Sequence, residues 1–537
     1  MRAASVHRRF HTLWHPIRSV YLAGVAAVNP APRKVVIIGA GMAGMCAAIY
    51  ARKCGYPVTV LEQHERPGGL ATSWQRGAYT FEACLHWLLG SNQHDPMHAL
   101  WREVFDIDRL HFVYPEEWIR VESEDSERLS IYSDLERLEA ELLRHAPQDE
   151  VQIRQFLHAV RSLCHCPLPA LGGTWQHRFA TGLPLLRHAP LLKRLSHITS
   201  EAYGKRFSDP LLRGFFGDGE NAQLAVLALV FALAWNANGN AGYPVGGSQA
   251  VTGSIAQNLQ EIGGVLRTGA SVRQILVADD TAVGVLLDDG EHIDADWVIS
   301  AADGHTTIFG LLDGRYVGPR MAHLYRTYEP FPSFLQVSLG VARDLSQQCG
   351  FVMRLLDLPL IVDPQTTVRQ IAFRLFHYDP TLAPVGKTAV TCTLPTRNVE
   401  YWSWLSEHDP QAYEAEKRRV ADSVIALFDA WIPGVRDAIE VVDVSTPATV
   451  IRCTRNWRGS MEGWLITPQT GVRPLPPTLP GLRRFLMIGQ WVMPGGGLPS
   501  GLITARRAVR RMCRQDGIAF APDEHEKTTN AAGGLPP

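Results

Sequence analysis

The chain has almost no net charge and few of the features that mark nucleic-acid-binding or metal-binding proteins. Its 52 Lys and Arg residues balance 53 Asp and Glu residues, which leaves a net charge of −1 and no basic excess for nucleic acid. Its 9 cysteines include no Cys-x-x-Cys pair, and Cys164 with Cys166 supplies too few ligands for a metal. We therefore expect no nucleic-acid partner, no metal site, and free thiols in a reducing, cytoplasmic compartment.

Long hydrophobic runs are also absent. The runs Leu224–Trp235 and Val20–Val28 are both shorter than the roughly 20 residues that a membrane-spanning helix needs. We interpret the first run as a buried helix that walls an apolar cavity. The second lies in the acid-free segment 1–32, which we expect to be a poorly ordered extension, with a targeting or surface-anchoring segment as the alternative.

The chain further lacks the residue patterns of catalysts that work without a cofactor. It has no Ser-His-Asp set, no nucleophilic-cysteine signature and no His-Glu-x-x-His helix. Any chemistry must therefore come from a bound cofactor.

A strand, a glycine-rich turn and a helix follow one another early in the chain. The β-branched run Lys34–Ile38 leads directly into Gly39–Gly44, and the helical pattern Met45–Arg52 comes next. In this arrangement the first glycine permits the turn, the second lets a pyrophosphate approach the backbone, and the third packs helix against strand. The helix N-terminus then offers free N–H groups to phosphate oxygens.

The next predicted strand ends at an acidic residue. Pro57–Leu61 is followed by Glu62, which lies eighteen positions after Gly44. An acid roughly twenty residues beyond the glycine turn is typical of one that binds ribose hydroxyls. The pattern predicts a dinucleotide with a free ribose and no 2′-phosphate, while a glycine-rich turn without a ligand is the alternative.

A second glycine-rich stretch lies almost the whole chain away, at Pro494–Gly501. The apolar run Arg484–Ile488 before it predicts a strand, and Gly489 opens the loop. Helical spacing follows at Leu502–Arg514. The stretch is therefore a second strand-to-helix turn, and the N-terminus of its helix favours negative charge on a bound group.

Further motifs point to a family. The pair Gly68–Gly69 follows the acid closely, as in flavoproteins of the glutathione-reductase-like class. The other motifs that match in register are Tyr79–His86, Tyr243–Gly247, Ala301–Asp303 and Pro494–Pro499. With them, the chain resembles the phytoene desaturase, carotenoid isomerase and retinol saturase family of FAD-dependent oxidoreductases.

The resemblance implies an α/β fold. It consists of a glutathione-reductase-like Rossmann FAD-binding domain with an interleaved, mixed α+β substrate domain. We expect the FAD-binding domain at residues 33–95, 241–310 and 480–515, and the substrate-binding domain at 96–240 and 311–479. Residues 516–537 are polar and rich in small side chains, and we expect a disordered tail there.

The middle of the chain predicts a β-rich unit. Val265–Val277 is one apolar run, and Thr281–Leu287 with Ile293–Ser300 flanks the turn Asp288–Gly290. An Asp-Asp-Gly turn between alternating apolar runs is a hairpin signal. Farther on, Pro410–Trp431 has the pattern of an amphipathic helix.

The resemblance also implies which residues hold FAD and which lie beside its ring. The expected cofactor contacts are Gly39, Gly41, Met42, Ala43, Gly44, Glu62, Gln63, Gly68, Gly69, Leu70, Val272, Gly489, Gly497, Leu498 and Gly501. His86 and Trp87 are expected near the ring, where the histidine orients substrate or relays a proton. A hydrogen-bonded core histidine is the alternative. Cys84 departs from the family, because many relatives have glycine there.

The expected reaction is desaturation, saturation or cis–trans isomerisation of a lipophilic isoprenoid or polyene. The supply of 14 Trp, 19 Phe and 14 Tyr suits an apolar tunnel, although aromatic residues more often form plain core. Two alternatives remain open: an amine-oxidase-like enzyme on a polar substrate, and a non-enzymatic lipid binder related to Rab escort and GDP-dissociation-inhibitor proteins. The electron acceptor stays open among quinone, oxygen and NAD, and we expect contact with the membrane surface.

Overall fold

The computed structural model describes residues 32–164, 166, 175–217, 222–471 and 473–522. The predicted N-terminal extension therefore lies outside the described residues except for Pro32, and so does the predicted tail from residue 523 onward.

The regular elements of the described residues are as follows. The strands are β1 (Val35–Ile38), β2 (Val58–Leu61), β3 (Ser73–Arg76), β4 (Tyr79–Glu82), β5 (Leu88–Leu89), β6 (Phe112–Val113), β7 (Glu117–Glu122), β8 (Arg128–Tyr132), β9 (Ala241–Pro244), β10 (Val265–Arg267), β11 (Val272–Ala278), β12 (Thr281–Leu287), β13 (His292–Asp294), β14 (Trp297–Ser300), β15 (Ser333–Val341), β16 (Phe351–Asp363), β17 (Thr366–Leu375), β18 (Thr388–Thr396), β19 (Ile439–Ser445) and β20 (Phe485–Met487). The helices are α1 (Met42–Lys53), α2 (Pro96–Arg102), α3 (Leu135–His145), α4 (Glu150–Leu163), α5 (Trp175–Ser196), α6 (Ser200–Gly204), α7 (Pro210–Phe215), α8 (Val226–Ala237), α9 (Gly247–Glu261), α10 (Pro319–Thr327), α11 (Val399–His408), α12 (Pro410–Trp431), α13 (Pro447–Thr454) and α14 (Gly497–Asp516).

A parallel sheet carries both glycine-rich turns. In the described part of the chain its strand order is β10-β2-β1-β14-β20, and every pair is parallel. All four residues of β1 are buried, as expected of a parallel strand covered on both faces. Because the carboxyl ends of parallel strands meet at one edge, Gly39, Glu62 and Gly489 emerge together.

A larger, mainly antiparallel sheet stands opposite this edge. Its order is β19-β15-β18-β17-β16-β7-β8 within the described residues, with β16 and β7 parallel. One face packs against α11 and α12 through buried side chains such as Phe373, Trp402 and Phe428. Residues of the other face, including Ala372 and Thr391, border a cavity. The sheet therefore separates a packed core from an open interior.

Helices from the first half of the chain close the side of that interior. Helix α8 corresponds to the predicted run Leu224–Trp235, and its Val230 and Leu233 are buried in a helical core. Phe231 and Trp235 of the same helix border the cavity, as the sequence predicted. Among the described residues, no helix combines the length and the apolar character needed to cross a membrane.

Two predicted runs are divided by the tertiary structure. The run Val265–Val277 becomes β10 and β11, which belong to different sheets, with Gly269 between them at a φ of +67°. The hairpin at Asp288–Gly290 is confirmed, because β12 pairs antiparallel with β13. The end of the predicted strand Ile293–Ser300, however, crosses to the parallel sheet as β14.

Side-chain packing shifts the predicted domain boundaries. Met97 and Trp101 of α2 pack in one cluster with α1 and α14, so the boundary at 95 cuts through that layer. Leu324 and Leu479 pack with Val36 of β1, which places parts of 311–328 and 475–479 beside the parallel sheet. Boundaries drawn from motifs missed these segments because their packing partners are distant in sequence.

The tail does not begin at residue 516 as predicted. Asp516 is the last residue of α14, its side chain is 0% exposed, and Phe520 packs against Tyr50 at 5.9 Å between ring centroids. The Asp516 carboxylate accepts hydrogen bonds from Arg33, Arg484, Tyr56 and Trp297. These contacts tie the end of the last helix to the edge of the parallel sheet, and order therefore extends beyond the predicted limit.

The substitution Asp516→Asn tests this anchor. It removes the charge that two arginines share, so we expect the free energy of unfolding to fall by about 2 kcal/mol. Urea denaturation of the purified protein measures the change. Asp125→Asn, at an exposed position between β7 and β8, is the matched control and should shift stability by less than about 0.5 kcal/mol. Equal effects of the two substitutions would contradict the anchor.

Candidate active site

A cavity of about 2000 Å³ lies between the carboxyl edge of the parallel sheet and the open face of the larger sheet. Ordinary small-molecule pockets reach roughly 1,000 Å³. The cavity is therefore large enough for a dinucleotide and a second ligand together.

The first glycine turn forms one wall. Gly39 has a φ of +94°, a conformation that favours glycine and permits the turn after β1. A Cβ on Gly44 would lie 1.9 Å from the Gly39 carbonyl oxygen, so this glycine allows α1 to pack against the turn. Gly44 is absent from the cavity lining, and its prediction as a cofactor contact stays a prediction. Its role is the helix packing that the motif requires.

Neither the backbone conformation nor packing within the chain requires a glycine at Gly41. Its φ of −71° is open to any residue, and a Cβ there would meet only Gly68 O at 3.9 Å and Gly69 Cα at 4.0 Å. Gly41 nevertheless borders the cavity at the N-terminus of α1. The open space at this position is what a closely approaching ligand backbone or phosphate fills, and the residues fit a dinucleotide in this respect.

Glu62 presents its carboxylate at the end of β2. One oxygen accepts from Ala40 N at 2.7 Å and the other from His64 N at 2.9 Å. The residue is 7% exposed and borders the cavity, and its carboxylate has lone pairs beyond those that accept these two bonds. A fixed carboxylate beside the glycine turn is the group that a ribose diol needs.

The second glycine pair lies against the first turn. Gly68 N donates to Ala40 O at 2.9 Å, and Gly68 forms a bridge with Gly41. Val272, at the start of β11, borders the same part of the cavity. Three separate segments thus surround one elongated volume.

The last glycine stretch forms the opposite end of that volume. Gly495, Gly496 and Gly497 have φ values of +91°, +54° and +74°, which side chains rarely adopt. Helix α14 begins at Gly497. A Cβ on Gly501 would lie 3.1 Å from Ala43 N, so the first turns of α1 and α14 touch. Two helix N-termini therefore face the same cavity.

The predicted cofactor contacts come together here, although they are spread from residue 39 to residue 501. Those that border the cavity are Gly39, Gly41, Met42, Ala43, Glu62, Gln63, Gly68, Gly69, Leu70, Val272, Gly489, Gly497, Leu498 and Gly501. Gly44 is the exception already described.

Glu82 holds the segment that follows β4. It is 1% exposed, and its carboxylate accepts from Ser248 N at 2.8 Å, Leu85 N at 3.1 Å and Cys84 N at 3.3 Å. The Ser248 hydroxyl donates to it as well. This carboxylate joins the β4 end to the start of α9 and fixes the backbone on which the next residues stand.

That backbone carries Cys84, His86 and Trp87 at the cavity wall. Cys84 Sγ lies 3.1 Å from Leu70 O, and burial raises the pKa of its thiol, so the group stays neutral. Burial, followed by the charge of Arg374, lowers the pKa of His86, whose imidazole is neutral. Among the described residues His86 has no hydrogen-bond partner, and its role beside the ring stays a prediction. Trp87 packs against Trp235 at 5.6 Å between ring centroids.

Sequence reasoning missed Glu462. It lies beside the last glycine loop, because a Cβ on Gly496 would be 2.8 Å from Glu462 Cβ. Burial raises the pKa of Glu462 to about 8, and no hydrogen-bond partner for its carboxyl exists among the described residues. The sequence feature that could have indicated this residue is a single acidic side chain between Trp457 and Trp464.

Arg374 was missed as well, and Asp303 was noted only as part of a motif. Arg374 borders the cavity from β17. Burial raises the pKa of Asp303 to about 7, although its carboxylate accepts from Thr306 N at 2.9 Å and Trp457 N at 3.0 Å. Asp303 is therefore held by the chain itself, unlike Glu462.

The parallel sheet, the paired glycine turns and the Glu62 carboxylate are features of a dinucleotide-binding protein. Comparison with known families gives a narrower result. Residues 42–513 match the family model of the flavin containing amine oxidoreductases, and the chain belongs to that family. Its cofactor is FAD, and the protein is an FAD-dependent oxidoreductase. A second model, the C-terminal domain of alanine dehydrogenase/PNT, matches residues 2–70, which include the first glycine turn.

Individual relatives agree with this membership. The chain is 24% identical to prolycopene isomerase 2 of an Oncidium hybrid cultivar, over 95% of this chain and 90% of the relative. It is 25% identical to the lycopene-forming phytoene desaturase of Pseudescherichia vulneris, over 90% of this chain and 99% of the relative. The solved structure of cyclohexylamine oxidase from Brevibacterium oxydans shares the fold, with a TM-score of 0.56, 13% identity, and coverage of 90% of this chain and 100% of that one.

Glu462 should make stability depend on pH. A carboxyl whose pKa is raised in the folded state stabilises the fold below its unfolded pKa of roughly 4.3, and this contribution is lost as pH rises through about 8. We expect the free energy of unfolding of the unaltered protein, relative to Glu462→Gln, to fall between about pH 5 and pH 8. Urea titrations at several pH values measure the difference.

Asp303 titrates in the same direction in both proteins, so subtraction removes its contribution. A difference between the two proteins that stays constant from about pH 5 to pH 9 would show that Glu462 is ionised in the fold.

Proposed function

We propose that this FAD-dependent oxidoreductase acts on a lipophilic isoprenoid or polyene, by desaturation, saturation or redox-neutral cis–trans isomerisation. The observation that carries the proposal is a long apolar cavity that continues from the glycine-lined volume. Its aromatic and aliphatic lining includes Trp87, Trp118, Phe215, Leu227, Phe231, Trp235, Phe334, Phe351 and Met353. The names of the relatives, a prolycopene isomerase and a phytoene desaturase, support the same substrate class.

Within this proposal FAD takes the extended, glutathione-reductase-like placement. The N-terminus of α1, where Gly41 leaves space, would hold its pyrophosphate. The Glu62 carboxylate would accept from its ribose hydroxyls, and Val272 would border its adenine. The backbone of Gly497 and Leu498 would hold the flavin ring. The touching first turns of α1 and α14 support this assignment, because a single ligand would reach both helix ends.

When bound, FAD supplies the two-electron chemistry. The chain's own groups set the surroundings. The positive dipole end of α14 favours negative charge near Gly497. The aromatic lining excludes water from the reacting carbons. Glu462 holds a proton at its carboxyl at neutral pH, beside the loop where the ring is expected.

An amine-oxidase-like function is the alternative that the shared fold raises. The positive charge of Arg374 inside the same cavity opposes a cationic ammonium substrate. The family's flavin cofactor argues against a non-enzymatic binder of the Rab escort type. The polyene proposal is therefore the better supported.

The electron acceptor and the membrane contact remain predictions. Leu358 is 82% exposed and Ile361 is 55% exposed on β16, and the adjoining Gln365–Thr367 borders the cavity. Exposed apolar side chains next to a cavity mouth favour loading of a lipid-dissolved substrate at a membrane surface. Quinone, oxygen and NAD remain the candidate acceptors.

Glu62→Gln tests the cofactor placement. The amide cannot accept from both backbone donors and two ribose hydroxyls, so we expect FAD to bind about 10-fold to 100-fold more weakly. Titration of the flavin-free protein with FAD, followed by flavin fluorescence, gives the dissociation constant. Glu65→Gln removes the same charge at an exposed position three residues away and should bind FAD normally. Unchanged affinity in Glu62→Gln would refute the ribose assignment.

The substrate class is tested by mixing the FAD-loaded protein anaerobically with polyene hydrocarbons, retinoids, steroids and amines. We expect the lipophilic polyenes to bleach the flavin absorbance or, for an isomerisation, to be converted without bleaching, because the apolar cavity aligns them with the ring. Absorbance and chromatographic product analysis separate these outcomes. Bleaching by amines alone would favour the amine-oxidase alternative.

A further inference from the structure

We propose that Arg374 anchors a carboxylate at one end of the substrate, so that the preferred ligand is a polyene acid and not a plain hydrocarbon. The inference rests on the proposed function and specifies its substrate class.

Strand alternation points Arg374 into the cavity. Along the last part of β17, Phe373 and Leu375 are buried in the core beneath α12, whereas Ala372 and Arg374 border the cavity. The Arg374 guanidinium carbon lies 3.7 Å from the centroid of the Phe351 ring on the neighbouring strand β16. This stacking fixes the plane of the guanidinium while leaving its N–H groups for other partners.

No anion in the described part of the chain neutralises this charge. Among the residues that the structure describes, no group is hydrogen-bonded or ion-paired to the guanidinium. The groups that raise the pKa of Arg374 are Tyr378 and Cys349, and burial raises the pKa of each of these, so both are neutral at pH 7. Burial lowers the pKa of Arg374 to about 10, which still leaves it charged.

Two other arginines whose side chains are largely buried have carboxylate partners. Arg354 is ion-paired with Glu122 at 3.0 Å, and Arg506 forms two bonds to Glu103, the shorter at 2.6 Å. A guanidinium withdrawn from water without a partner is costly, and a carboxylate that accepts two parallel N–H bonds is the partner that offsets the cost best. A hydrocarbon that fills the cavity would remove water from Arg374 without supplying a hydrogen-bond acceptor in its place.

His86 adds a second polar group to the cavity wall. Burial, followed by the charge of Arg374, lowers the pKa of His86, and the neutral imidazole offers one N–H donor. Neither residue is satisfied by the rest of the described chain, as expected of groups that meet a ligand.

A binding experiment with the FAD-loaded protein tests the anchor. Retinoic acid and its methyl ester are the probes, because they share one polyene and differ in the charge of the end group. Quenching of tryptophan fluorescence, with Trp87, Trp118 and Trp235 in the cavity wall, gives each dissociation constant. We expect the acid to bind the unaltered protein at least about 10-fold more tightly than the ester.

In Arg374→Gln we expect the affinity for the acid to fall by about 10-fold or more, and the affinity for the ester to change by less than about 3-fold. Arg374→Lys keeps the charge without the planar fork and should give an intermediate loss. Arg418→Gln, on the exposed face of α12, removes the same charge elsewhere and should leave both constants unchanged.

Equal binding of acid and ester by the unaltered protein, or equal weakening of both in Arg374→Gln, overturns the anchor while leaving the polyene proposal in place. If neither probe binds the unaltered protein, the polyene proposal fails and the anchor fails with it. The comparison of acid with ester needs no variant, so it decides the matter even if Arg374→Gln does not fold.

Discussion

The contact between the first turns of α1 and α14 is the constraint on which the rest of the molecule depends. It joins residues more than 450 positions apart, and it exists because Gly501 leaves the Ala43 amide uncovered, at 3.1 Å from where a Cβ would be. A side chain at that position would push the two helix ends apart. With the ends together, two sets of unpaired N–H groups and two positive dipole ends face one volume, which suits a long, negatively charged cofactor.

Polar groups around the cavity fall into two kinds. Glu82 and Asp303 are satisfied by the backbone of this chain, so they hold the walls in place. Glu462, His86 and Arg374 have no such partners among the described residues, and they face the cavity. A polar group that borders a cavity without a partner in the described chain keeps its hydrogen-bonding capacity for a ligand. This distinction separates the binding groups from the structural ones more clearly than residue type does.

Much of the fold was predictable where the deciding interactions are local. The turn at Gly39–Gly44 follows from steric needs within a few residues, and the predicted helix Pro410–Trp431 has the observed bounds of α12 because its amphipathic period is unbroken. The run Val265–Val277 was misjudged, since its division into β10 and β11 depends on two different partner strands. The boundary at residue 95 failed for the same reason, because Trp101 finds its packing partners far along the chain.

The sequence by itself determined the dinucleotide turn, the acid at Glu62 and the second glycine-rich turn, because each is a short pattern whose geometry fixes its chemistry. The tertiary structure decided that Asp516 is an anchor, and that the cavity is bordered by a neutral acid beside the last glycine loop and by a guanidinium that no described residue pairs with. Burial and pairing depend on neighbours in space. The sequence therefore could not indicate a binding role for Arg374. That role is inferred only because the folded structure shows no described residue that neutralises its charge.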